Sequence, residues 1–283
     1  MDGTVAKAPT QPFTPPSSAP MARRYSGMNW LGLQTLFARE INRFMKVAAQ
    51  TLIAPLMMTI LYIAVFALAL RGTGGRSSPI GNVSYIDFLA PGLIMMGIIN
   101  NAFQNASSSL IIAKIQGNSV DFLMPPLSAL ELTIAFIGGA AARGILVGIA
   151  SAIAVSPFAH VVPQHWWAVG VFIIAASVIF GAIGLLCGIW ADKFDHLAAA
   201  TNFIVTPLTF LSGTFYSVTA LPEPFRSVAH WNPVFFLIDG FRYGFIGHSD
   251  GALGVAAVVS LLAAAALSAL CWAVLRSGWR LKA

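Results

Sequence analysis

The chain has 283 residues, 57% of them apolar and only 9% Asp, Glu, Lys or Arg. Soluble domains carry about 25% charged residues, so this chain lacks the polar surface of a water-soluble fold and the charge of a disordered one. Its net charge of +6 excludes no anionic partner by itself, but the basic residues form no continuous patch for nucleic acid and stand instead at the borders of apolar runs.

Residues 1–27 are rich in Pro, Ser and Ala, with Pro9, Pro12, Pro15, Pro16 and Pro20, and read as a disordered tail. Over 30–46, Trp30, Leu33, Phe37, Ile41 and Phe44 recur at helical spacing, while Arg39, Arg43 and Lys46 form a basic stripe. This is an amphipathic helix, lying in the membrane interface or extending the first span. Six apolar stretches follow, roughly 47–70, 87–112, 132–157, 166–190, 197–215 and 252–275. A helix needs about 20 apolar residues to cross the hydrocarbon core, and a lipid-exposed segment must be helical because lipid satisfies no open backbone edge. The expected fold is an all-α membrane protein with six transmembrane helices, one domain over 28–283. The fifth stretch is the shortest and contains Asn202 and Pro207. Six crossings put both termini on one side. That side then holds eleven Lys and Arg against four on the other, which makes both termini cytoplasmic.

Polar groups inside spans are costly and therefore informative. The second stretch carries Asn101, Gln104 and Asn105 on one helical face, which line a substrate path or bond neighbouring helices. Arg143 falls inside the third stretch and either snorkels to the cytoplasmic face or pairs with an acid such as Glu131, or with carbonyls. Gly144 with Gly148, and Gly184 with Gly188, form G-x-x-x-G pairs that permit close helix contact. The segment 114–127 is cytoplasmic: polar at first, then a short amphipathic turn, then Pro125-Pro126, a rigid element suited to docking on another protein. The segment 215–248 is too apolar for an exposed loop and is broken by Pro222, Pro224 and Pro233. It is expected to form two short helices re-entering the outer membrane half, with Asp239 and Arg242 paired on one face.

Several chemistries are excluded. No lysine follows glycine, so there is no Walker A phosphate loop, and no His-Glu-x-x-His is present. The five histidines lack metal-ligand spacing and Cys187 and Cys271 cannot make a four-cysteine site, so no cofactor or metal is expected in this chain. Gly247-His248-Ser249-Asp250-Gly251 matches G-x-S-x-G but lacks the strand-to-helix context of a nucleophile elbow. Ser249 or Asp250 capping the last helix is the simpler expectation.

The order of these elements and four motifs resemble the membrane subunit of type 2 ABC exporters, permeases for drug, polysaccharide and lipo-oligosaccharide export. The motifs are Phe88-Leu89-Ala90-Pro91-Gly92-Leu93, the stretch from Asp121 to Leu127, the run from Pro207 to Tyr216, and Leu221-Pro222 with Trp231-Asn232-Pro233 and Phe241-Arg242. The resemblance spans about 28–275. It implies a non-enzymatic permease in a bacterial inner membrane, a homodimer joined to two cytosolic ATPase subunits that hold the ATP and Mg. It makes 114–127 the coupling helix, with Lys114, Gln116, Asp121, Phe122, Leu123 and Pro125 meeting the ATPase. Ile112 to Gly117 lacks the charged E-R-E-x-G common in relatives. Closure of the ATPases is expected to shift Asn101, Gln104 and Asn105, which are assigned with Arg143 to the substrate path or gate, and to open an outer gate at Tyr216 and Trp231. Replacing Asp121 and Phe122 should uncouple transport without unfolding the chain. The alternatives are an ATPase-independent carrier or channel and an intramembrane hydrolase using Ser249.

Overall fold

The computed structural model describes residues 27–71, 83–118 and 120–280, and these are helical with no strand. The expected tail lies almost wholly outside them. In order come α1 (Trp30–Met45), a π-helical turn (Ala49–Ile53) running into α2 (Ala54–Arg71), α3 (Tyr85–Ile115), a single turn α4 (Val120–Leu123), α5 (Ala129–Val155) and α6 (Trp166–Trp190). Then follow α7 (Phe194–Ala200), a second π-helical turn (Thr201–Val205), α8 (Thr206–Leu211), α9 (Phe225–Trp231), α10 (Pro233–Ile246) and α11 (Leu253–Ser277).

Among the described residues five helices are long and apolar enough to cross a membrane: Ala49–Ala69, Tyr85–Ile115, Ala129–Val155, Trp166–Trp190 and Leu253–Ser277. They match five of the six expected stretches. The remaining stretch is helical over 194–211 but broken into α7, a π turn and α8, and Asp195, His196 and Asn202 dilute its apolar character.

The core is built around α3. Its most apolar window is 72% buried inside the protein, whereas that of α2 is 11% buried and that of α11 22%. Glycines make this possible. A Cβ on Gly184 would lie 2.3 Å from the Phe103 carbonyl oxygen, and one on Gly188 2.9 Å from that of Ser107. On the neighbouring side, a Cβ on Gly144 would lie 3.2 Å from Ala102 Cβ and one on Gly148 2.7 Å from Ile98 Cδ1. Both G-x-x-x-G pairs therefore press the backbones of α5 and α6 against α3, where dispersion contacts replace the hydrophobic drive that lipid cannot supply.

The two ends of the bundle are tied differently. At the basic end, Ser128 and Glu131 form a capping box at the start of α5, and Glu131 also accepts the Asn29 backbone N–H ahead of α1. Lys114 donates to the carbonyls of Ile189 and of Ala191, the latter at 3.0 Å, closing α3 onto the end of α6. At the opposite end Arg242, 2% exposed, donates to the carbonyls of Phe88 (3.2 Å), Gly213 (2.7 Å) and Thr214 (3.4 Å) and lies 3.8 Å above the Phe88 ring. Gly92 leaves room for this: its Cβ would meet Thr214 O at 2.7 Å and Arg242 Nη2 at 3.1 Å.

Three expectations are corrected. Arg242 and Asp239 do not pair; Asp239 instead accepts Ser249 Oγ at 2.6 Å and the amides of Asp250 and Gly251 at 2.9 and 3.2 Å. Ser249 and Asp250 do not cap α11, whose N-cap is Ala252 without a side-chain bond. Asp250 accepts from Ser217 Oγ (2.6 Å) and Val218 N (3.1 Å), so the two carboxylates knit the loops at this end together. On α1 the buried stripe is Leu33, Leu36, Glu40 and Phe44, with Trp30 62% exposed; the apolar face is turned from the expected one because Glu40 fits against Gly139 of α5.

Candidate functional site

The face of α3 away from the glycine contacts borders a cleft of about 950 Å³. Its other walls are the first π turn with α2, and α7, the second π turn and α8. Each π turn stands just before a proline, Pro55 or Pro207. Proline offers no N–H to the carbonyl one turn back, so the helical ladder ahead of it widens. The two irregular segments thus flank the same space, as π turns often do at functional sites.

Of the residues expected to form a path, Asn101, Gln104 and Arg143 line the cleft together. Arg143 Nε and Nη2 donate to Asn101 Oδ1 at 3.3 and 3.0 Å, and Asn101 Nδ2 donates to Gly97 O at 3.0 Å. Arg143 does not pair with Glu131, whose oxygens are used at the start of α5, and among the described residues it bonds no backbone carbonyl. Gln104 is exposed to the cleft. Asn105 is separated from its neighbours: fully buried, it accepts Arg43 Nη2 at its side-chain oxygen (2.9 Å) and its carbonyl (2.7 Å). Arg43 also reaches Glu40 (3.1 Å) and Ser108 (3.1 Å), and Ser109 donates to Glu40 at 2.7 Å. The basic stripe of α1 is therefore split, with Arg39 and Lys46 exposed and Arg43 turned inward.

The cleft ends against aromatic rings. Tyr62, on its wall, meets Phe215 edge-on at 5.7 Å; Phe66 and Phe210 pack on Phe215 at 5.5 and 4.9 Å, and the Tyr85 hydroxyl donates to the Phe215 carbonyl at 2.7 Å. The two residues expected at a gate are elsewhere. Tyr216 packs in a small cluster with Val218, Ala229 and Phe235, and burial raises its phenol above the ordinary value. Trp231 is 88% exposed on the outside of α9. Neither lines the cleft. Glu40, Phe215 and Tyr62 were not among the expected residues; an acid on a basic amphipathic helix and an aromatic next to the break after α8 were the available signals.

In the expected coupling segment, Gln116, Asp121 and Pro125 are exposed. Leu123 ends the single turn α4. Phe122 is 2% exposed and stacks edge-on against Phe136 of α5 at 5.6 Å, within a cluster that includes Leu33, Leu36 and Leu132. It packs the segment onto α1 and α5, so its side chain is not the surface contact expected of it.

Ser249 donates to Asp239 Oδ2 and to Gly251 O (2.9 Å), and His248 contacts Asp250 at 3.7 Å and not the serine, so the G-x-S-x-G segment forms a bonded loop. Among the described residues no three His, Cys, Asp or Glu side chains are grouped to hold a metal ion.

Comparison with known proteins places these features in a family. The chain is 37% identical over 250 residues to the inner membrane transport permease YadH of Escherichia coli K12, covering 88% of this chain and 96% of that one. It is 25% identical over 227 residues to nodulation protein J of Rhizobium leguminosarum bv. viciae, covering 78% and 83%, and 24% identical over 225 residues to nodulation protein J of Neorhizobium galegae, covering 78% and 82%. Residues 32–246 match the ABC-2 type transporter family, and the chain belongs to that family of membrane transport permeases.

Proposed function

We propose that the chain is the permease subunit of an ATP-driven exporter, moving a drug, a lipid-linked molecule or a (poly)saccharide outward across the inner membrane. The observation that carries this reading is the polar cleft beside α3, walled by helices that the rest of the bundle holds only lightly. A polar path inside apolar spans needs a wall that moves, and α2 with the segment 194–211 supplies one.

In this reading 194–211 completes a sixth crossing, α9 and α10 re-enter from outside, and the basic end with both termini faces the cytoplasm. The transmembrane domain runs over 28–283. Two copies pair across the cleft, where Met57, Leu61 and Val65 on one wall and Phe203 and Ile204 on the other are exposed. Two ATPase subunits, carrying the ATP and Mg, contact Gln116, Asp121 and Pro125, with Lys114 fixing the end of α3 and Phe122 transmitting the push to α1 and α5. Asn101, Gln104 and Arg143 meet the cargo. The ring cluster on Phe215 closes the path outward, replacing Tyr216 and Trp231 as the gate.

The test is mild-detergent purification of the tagged full-length chain from its native cells, with mass spectrometry of what accompanies it. A stoichiometric ATPase with a Walker A loop is expected, and Asp121→Ala should lower cargo-dependent ATP hydrolysis without lowering the melting temperature. A preparation that contains no ATPase even after crosslinking overturns the reading.

A further inference from the structure

The charges at the cleft do not cancel. Two guanidinium groups border it, Arg43 and Arg143. Arg43 is matched, since Glu40 pairs with it at 3.1 Å. Glu40 is itself fully buried, and its other oxygen is taken by Ser109. Arg143 has only the neutral amide of Asn101. Among the described residues no Asp or Glu lines the cleft. A cation partway along a spanning helix, without a counter-ion, is costly and marks a place where an anion is favoured. Beside it the wall turns apolar at Met58, Leu93 and Met96, while Asn100 and Gln104 supply amides near the charge.

We propose that the cleft binds an amphiphile with an anionic headgroup, a phosphate or carboxylate seated on Arg143, its apolar part along Met58, Leu93 and Met96. This rests on the reading of the cleft as the cargo path. The planar guanidinium fork matches both anions, and such charge-assisted bonds are stronger than neutral ones. Neutral amphiphiles of equal length gain only the apolar contact, and cationic ones are repelled by Arg143. The headgroup comes either from an acidic membrane lipid or from a separate amphiphile, which share this chemistry.

The experiment measures equilibrium binding to the full-length permease in phosphatidylcholine nanodiscs, with empty nanodiscs subtracted. The probes are radiolabelled dodecyl phosphate, dodecyl maltoside and dodecyltrimethylammonium, which hold the chain constant and vary the charge. Dodecyl phosphate is expected to bind about tenfold more tightly than the maltoside, and the cationic probe most weakly. Arg143→Gln should abolish this ranking and Arg143→Lys should keep part of it, while Arg276→Gln, outside the cleft, leaves it intact. Equal affinities for the three probes in the unaltered protein, or a ranking that survives Arg143→Gln, overturns the proposal; the first of these does not depend on any variant folding. Displacement of dodecyl phosphate by phosphatidylglycerol in the nanodisc supports the anionic site and assigns it to membrane lipid; displacement by soluble dodecanoate alone supports it and assigns it to a separate amphiphile. No ATPase is needed, so a flat ranking removes the charge assignment and leaves the permease reading standing, whereas a missing ATPase removes that reading and leaves the ranking intact.

Discussion

The two faces of α3 are built on different terms. Toward α5 and α6 the helix meets glycines, so backbone approaches backbone, with the Phe103 carbonyl 2.3 Å from where a Gly184 Cβ would stand. Toward α2 and the segment 194–211 it meets a cleft of about 950 Å³, amides, and helices interrupted by π turns. A close-packed face has one geometry and resists displacement. A face with few contacts and irregular neighbours opens at low cost. One helix is thus both the close-packed axis of the bundle and the floor of the cleft.

The largest expected effect lies on the packed face. Gly184→Val puts a branched side chain where the nearest neighbour is backbone, so α6 must part from α3; a loss of about 3 kcal/mol or more is expected, read as a lowered melting temperature and poor recovery from the membrane. An unchanged melt would show that this face yields as readily as the other. A smaller effect is expected at the boundary, where Glu40→Gln weakens the charge-assisted bonds to Arg43 and Ser109 by about 2 kcal/mol. Crosslinking between cysteines placed on α1 and α3 should then fall; constant crosslinking would mean that Arg43 and Asn105 suffice. The smallest stability effect belongs to the cleft: Gln104→Ala should shift stability by no more than about 0.5 kcal/mol while lowering cargo transport in reconstituted vesicles. A large loss of stability there would erase the distinction between the faces.

The packed face was legible in the sequence. Five apolar runs appear as helices long and apolar enough to span, within a few residues of expectation, because length and apolarity are local properties. The glycine pairs announced close contact, although their shared partner α3 was not readable. The cleft was harder. Asn101, Gln104 and Asn105 share a helical face, yet 101 and 104 line the cleft while 105 is enclosed, a division made by Arg43 arriving from α1. Glu40 drew no reading of its own, since the space it occupies is left by Gly139, 99 residues away. Phe215 is one ring in an aromatic segment, and only the fold selects it over Tyr216 and Trp231.

The Asn29 N–H donates to Glu131, 102 residues further along the chain, and the same carboxylate closes the start of α5 on the Ser128 amide at 2.6 Å. At about 5–20 residues per second of synthesis, α1 leaves the ribosome seconds before its berth exists. Its apolar stripe and basic residues suit it to the membrane surface during that interval. When α5 arrives, one side chain both starts that helix and moors the earlier one, so the insertion of the third span is also the event that docks the first helix onto the protein.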